Sequence, residues 1–180
     1  MLTLSSLIPA EIGVYNERLT VIIGFVAVVL VLVVFSSCRS FASLLAGFRF
    51  KGPLQTKWYR AFYKYHAYYW PMLWLLVVLH VMTALMHTEL PVAGDPDAAI
   101  HWYILGSGLI AFLSLVALGF SCRTFAGVFN ILTGKSLTEG RLNGTFYGYH
   151  YLYWLVFLLA TAMHLVFSYL HVGFWPGTPG

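Results

Sequence analysis

Charge is scarce in this chain. Ten lysines and arginines and six acids make up 9% of the 180 residues, against 60% hydrophobic side chains. A water-soluble domain carries about 25% charged residues. So few polar side chains cannot cover a globule in water, which excludes a soluble domain and makes lipid the solvent. Cysteine is scarce as well. Cys38 and Cys122 are the two in the sequence, and neither has neighbours spaced for a zinc site or an iron–sulfur cluster. The sequence also lacks a G-x-G-x-x-G and a G-x-x-x-x-G-K-[ST] run, and the polar segments KGPLQTK and TGKSLTEGRLNG are too short for a nucleotide-binding domain. The chain cannot take electrons from NADH or activate a phosphate by itself.

What is present is apolar sequence in four long runs, at roughly 19–37, 65–88, 102–121 and 149–172. Each is long enough to span about 30 Å of hydrocarbon. The expected fold is an all-α integral membrane protein with four transmembrane helices in a single membrane domain, 1–180. The N-terminus, MLTLSSLIPAEIGVYNERL, does not read as a cleavable signal peptide: it lacks a basic start and a small-residue cleavage site.

The few charges set an expected orientation. Arg39, Arg49, Lys51, Lys57, Arg60 and Lys64 lie between the first and second runs; Arg123, Lys135 and Arg141 lie between the third and fourth, with the single acid Glu139. Glu11, Glu17, Glu89, Asp95 and Asp97 fall on the other side with Arg18. The positive-inside rule makes the basic loops cytoplasmic and puts both termini outside, as in a bacterial or archaeal cytoplasmic membrane. The net charge of +4 is explained by this topology and needs no nucleic-acid partner.

The chain also repeats itself. Shifted by 84 residues, it aligns without a gap from Ser37 to His87, within the larger repeat 19–88 and 102–172. SCRSFA falls on SCRTFA, Lys51 on Lys135, Phe62-Tyr63 on Phe146-Tyr147, and Tyr69-Trp70 on Tyr153-Trp154. His66, His80 and His87 fall on His150, His164 and His171. Matching leucines arise by chance in apolar sequence; three matching histidines, each costly in lipid, do not. The reading is a tandem repeat of two helical hairpins, related by an axis along the membrane normal. His101 falls on Glu17, so it is not read as a ligand.

In a helix, the 14 residues from His66 to His80 rise about 21 Å and come within about 40° of whole turns, so both lie on nearly one face. His150 and His164 do the same. If the two faces meet, His66 opposes His150 and His80 opposes His164. Two opposed imidazoles at one depth are a bis-axial ligand set for haem iron, and two such layers place irons about 20 Å apart. No C-x-x-C-H is present, so such haems would be held without covalent attachment. Three other readings fit histidines in membrane helices. Histidines in membrane helices also serve as hydrogen-bonding glue in a non-redox anchor or assembly subunit. Imidazole also ligates (bacterio)chlorophyll, although that needs one histidine per pigment. A transition-metal channel would want carboxylates, which the four runs lack.

The paired H-x13-H segments on the second and fourth of four helices resemble the haem-binding bundle of the cytochrome b and b6 family. They are also similar to the diheme anchors of membrane formate dehydrogenases, hydrogenases and ferric reductases. The resemblance covers roughly 19–172. It implies two haem b groups, bis-histidine ligation and exchange with quinones. The expected role is then an electron-transfer subunit of a membrane oxidoreductase rather than a complete enzyme. Its expected partners are lipid, quinone and an extracytoplasmic redox subunit, multihaem or iron–sulfur.

His87 and His171 sit about 10.5 Å beyond the second pair, too close for a third haem in line. They are candidates for a quinone or proton-exchanging site, for a tilted haem, or for plain interfacial residues. Arg39 and Arg123, and likewise Lys51 and Lys135, are candidates for haem propionates, beside a simple topological role. Tyr65, Tyr149, Tyr69, Tyr153, Trp70 and Trp154 read first as an interfacial aromatic belt, with packing against haem as the second reading. Pro71 is expected to kink the second span locally.

Overall fold

A computed structural model describes residues 10–48, 55–87, 98–121 and 148–172. The described residues form six α-helices: α1 Ala10–Ser36, α2 Arg39–Gly47, α3 Lys57–Lys64, α4 His66–His87, α5 Ala98–Ser121 and α6 His150–Val172. Four stretches are long and apolar enough to cross a membrane: Glu17–Ser36 in α1, His66–Met86 in α4, all of α5, and His150–His171 in α6, with mean hydropathy of 3.1, 1.7, 2.1 and 1.7. The described residues are helical apart from short turns, and these four stretches mark an integral membrane protein. The spans agree with the apolar runs, and α1 begins earlier because the helical ladder carries on through Ala10–Arg18 beyond the apolar stretch.

The outer faces of these helices are apolar. Phe25, Leu85 and Leu170 are more than 60% exposed, as suits a surface solvated by lipid. Small and hydroxylic residues take inner positions: Thr20, Ser37, Ser40, Ser107, Ser114 and Ser121 are all buried. Apolar burial drives little association in hydrocarbon, so helices approach through small residues and hydrogen bonds.

The chain divides into two compact units, one comprising 1–89 with 175–180 and the other 90–174. In the first, α1 packs along α4. The start of α1 meets the end of α4 at Thr20 and His80, and its end meets the start of α4 at Ser37 and His66, so the two run antiparallel. In the second unit, α5 packs along α6 in the same sense, through Ile104 with His164 and Ser121 with His150. α4 continues through Pro71 as one helix.

Between α1 and α4 lie α2 and α3. Ser37 and Cys38 turn the chain, with the Cys38 amide bonded to the Phe35 carbonyl at 2.9 Å. The Thr56 hydroxyl caps α3 by accepting the Tyr59 amide at 3.2 Å. The Tyr59 hydroxyl donates to the Ser36 carbonyl at 3.0 Å, satisfying one of the carbonyls that the end of α1 leaves open. Lys57, Arg60 and Lys64 share one strip of α3 by helical spacing, and Trp58 is 87% exposed. Cys38 is buried and reduced.

Candidate functional site

The hydrogen bonds of each histidine fix which ring nitrogen carries the proton. Trp70 Nε1 lies 3.0 Å from His66 Nε2. Indole nitrogen only donates, so His66 Nε2 accepts and its proton is on Nδ1. That Nδ1–H donates to Ser37 Oγ at 2.8 Å, and the Ser37 hydroxyl proton goes on to the Val34 carbonyl at 2.9 Å. The second unit contains the same chain. Trp154 Nε1 donates to His150 Nε2 at 3.2 Å, His150 Nδ1 donates to Ser121 Oγ at 2.7 Å, and Ser121 donates to the Leu118 carbonyl at 3.0 Å. Each indole stands edge-on to its imidazole, at interplanar angles of 88° and 87°.

This arrangement corrects one expectation. Trp70 and Trp154 are not interfacial belt residues: they are 0% and 2% exposed and hydrogen-bonded to histidine. The tryptophan sits four residues after the histidine, which stacks both on one helix face. Tyr65 and Tyr149, about half exposed, suit the belt reading.

His80 and His164 are held differently. His80 Nδ1 lies 3.1 Å from the Thr20 carbonyl, and His164 Nδ1 lies 3.0 Å from the Ile104 carbonyl. A carbonyl only accepts, so Nδ1 again carries a proton, and the neutral form of each ring has its lone pair at Nε2. Both carbonyls sit inside a helix, where each also serves the amide four residues on. Those residues are Gly24 and Gly108. A Cβ on Gly24 would lie 2.9 Å from His80 Cε1 and 3.0 Å from its Nδ1; on Gly108 it would lie 3.1 Å from the same atoms of His164. The missing side chains uncover the carbonyls and let the rings lie on the helix. Gly24 and Gly108 are therefore site residues that reading the sequence missed. The signal was there: they too stand 84 apart, upstream of where the gapless match was read.

All four histidines thus carry a proton on Nδ1, bonded within or just past the partner helix of the same unit. A metal-ligating histidine typically has this form, its second nitrogen donating to a carbonyl or hydroxyl and its Nε2 facing the metal. The donor chemistry fits an axial ligand for haem iron. Among the described residues no three His, Cys, Asp or Glu side chains gather as a bare metal-ion site.

At the other end of the second unit, His171 Nε2 lies 2.9 Å from His101 Nε2, with the rings perpendicular and their centroids 4.4 Å apart. One nitrogen donates and the other accepts, so the pair shares a single proton between two bases. His101 had been set aside because its repeat counterpart is Glu17; the antiparallel register of α5 and α6 puts it opposite His171. Glu17 and His87 occupy the corresponding positions of α1 and α4. The side chains of His87 and Arg39, and all of Arg123, Lys51, Lys135 and the loop with Asp95 and Asp97, lie outside the described residues. No family model, curated protein or solved structure matches the chain.

Proposed function

We propose that this protein carries electrons across a membrane through two non-covalently held b haems, with His66 and His150 as the axial ligands of one and His80 and His164 of the other. The observation that supports this most is the common hold on the four imidazoles, each with its Nδ1–H bonded to a serine or carbonyl oxygen of its own unit, reproduced at an offset of 84 in two units. The same correspondence supports a tandem repeat of two helical hairpins, extending upstream to Gly24 and Gly108. Haem iron, when bound, supplies a one-electron couple that no side chain here provides. The residues of the chain hold the rings in one orientation, keep their protons on Nδ1, and surround them with apolar helix.

His171, with His101 beside it and His87 at the matching place in the first unit, is the proposed quinone or proton-exchanging site. Two bases sharing one proton suit a carrier that gains or loses protons with its electrons. In this reading the basic loops face the cytoplasm, the termini lie outside, and an extracytoplasmic redox subunit docks at the outer end. Arg39 and Arg123 are proposed to face haem propionates.

A second reading has its own support. Every one of these histidines bonds its neighbouring helix, as glue in a non-redox anchor would. A pyridine haemochrome assay and a reduced-minus-oxidised spectrum on the purified chain separate the two. Two haem b per chain, extractable by acid acetone, is the expected result. A colourless protein that assembles normally is the anchor, and its His66→Ala variant should cost no more than about 1 kcal/mol of packing.

A further inference from the structure

At the inner histidines the spacing leaves one thing unrevealed: a side chain of their own helix donates to Nε2. We infer that Trp70 and Trp154 are latches on His66 and His150. Each indole N–H occupies the imidazole lone pair that a metal would need, so ligation at these two histidines requires the indole to leave. This regulation of the inner site rests on the haem reading for its purpose; the two indole–imidazole bonds are observed independently of it.

Three observations carry it. The donor–acceptor distances of 3.0 and 3.2 Å place both indoles in hydrogen-bonding range of Nε2 itself, not of the ring edge. The tryptophans are 0% and 2% exposed, so water does not compete for the bond. The opposite side of each ring is already committed, since Nδ1–H is bound to a serine whose own proton is spent on a helix carbonyl. The ring therefore cannot swap tautomer without turning the serine hydroxyl away from its helix carbonyl to donate to Nδ1 instead. Serine and indole together hold Nε2 in the ligating form while keeping it covered. Ser37 and Ser121 remain suited to Nδ1 after ligation; Trp70 and Trp154 do not remain suited to Nε2. They are positioning residues.

The test uses the full chain in detergent micelles. In the haem-free wild type labelled with 15N-histidine, His66 and His150 should both report protonated Nδ1 and hydrogen-bonded, unprotonated Nε2. An Nε2–H tautomer at either residue overturns the latch, whatever the variants do. Haem titration of the Trp70→Phe, Trp154→Phe double variant should then tighten the weaker of two binding steps at least about tenfold, because two hydrogen bonds no longer have to be broken. An unchanged or weaker step overturns the inference. If neither form binds haem, the haem reading fails, and the latch is judged by diethyl pyrocarbonate, which acylates the unprotonated ring nitrogen. Its rate at His66 and His150, mapped by mass spectrometry, should rise about fivefold in the double variant relative to His80 and His164, one hydrogen bond being lost at each ring. Equal rates in variant and wild type would show that the indoles do not guard Nε2.

Discussion

Gly24→Ala is the perturbation on which the geometry speaks most directly. An alanine inside a helix is ordinarily worth about 1 kcal/mol over glycine, so the change should stabilise α1 if nothing lies above it. Here the new Cβ would stand 2.9 Å from His80 Cε1, whereas ordinary contact begins at 3.4 Å. The ring must retreat by about half an ångström, and its Nδ1 already lies 3.1 Å from the Thr20 carbonyl. That retreat takes the bond beyond hydrogen-bonding range, forfeiting about 1 kcal/mol. Forcing the extra methyl into the contact costs about 1–3 kcal/mol more. The helix gain is outweighed, and Gly24→Ala should destabilise the protein by about 1–3 kcal/mol. Gly108→Ala meets its ring at 3.1 Å and should cost less. Gly106→Ala supplies the internal control: it lies in the same helix as Gly108 with nothing within 4 Å of its Cβ, and should stabilise by up to about 1 kcal/mol. Unfolding by SDS titration in mixed micelles measures all three. If Gly24→Ala proves as stabilising as Gly106→Ala, the imidazole does not rest on Gly24, and the argument for a carbonyl-anchored His80 fails with it.

Ser37→Ala and Ser121→Ala each leave a buried Nδ1–H without its acceptor and should cost about 1–3 kcal/mol apiece in the same assay. Pairing Ser37→Ala with both His66→Phe and Trp70→Phe should recover most of that loss, because the indole N–H that bonds His66 Nε2 is then removed as well and no unsatisfied donor remains. His101→Phe should leave haem content unchanged while slowing quinone-linked oxidation or reduction, and it should move the 15N resonances of His171. Replacing both His87 and His171 by Phe should do the same, and loss of a haem would instead make that pair ligands. Tyr59 provides a pH signature outside the spans. Its hydroxyl is pushed above the usual tyrosine value of 10.0, first by burial and then by Cys38 and Tyr63. A tyrosine whose folded pKa is raised contributes stability that is complete below pH 10 and is lost as pH climbs through the folded value. Tyr59→Phe should therefore flatten the alkaline limb of a stability–pH profile.

Much of this protein could be read from residue order, and the reasons are local. Apolar runs of about 20 residues declare spans because lipid leaves the backbone no partner but itself. The repeat and its histidines were legible because an imidazole in hydrocarbon is too costly to recur by accident. Residue order alone did not say what each histidine touches. Ser37 lies 29 residues before His66, and Thr20 lies 60 before His80. Such pairings arise only when two helices settle into one antiparallel register, and no helical period within a single span encodes it. Trp70 was the instructive misreading: an aromatic near a helix end looks like a belt residue, and only packing shows that its N–H points at the ring four residues back. Gly24 and Gly108 passed unremarked for a related reason. A glycine in a membrane helix carries no visible chemistry until a neighbouring helix lays a ring across it. His101 lacked a counterpart in the repeat, yet tertiary contact supplied it with His171. Sequence by itself determined the spans, the repeat and the candidate ligands, because burial cost and periodicity are properties of single segments. The tertiary structure decided the tautomers, the glycine rests and the indole latches, because each is a bond whose two ends are brought together only by the fold.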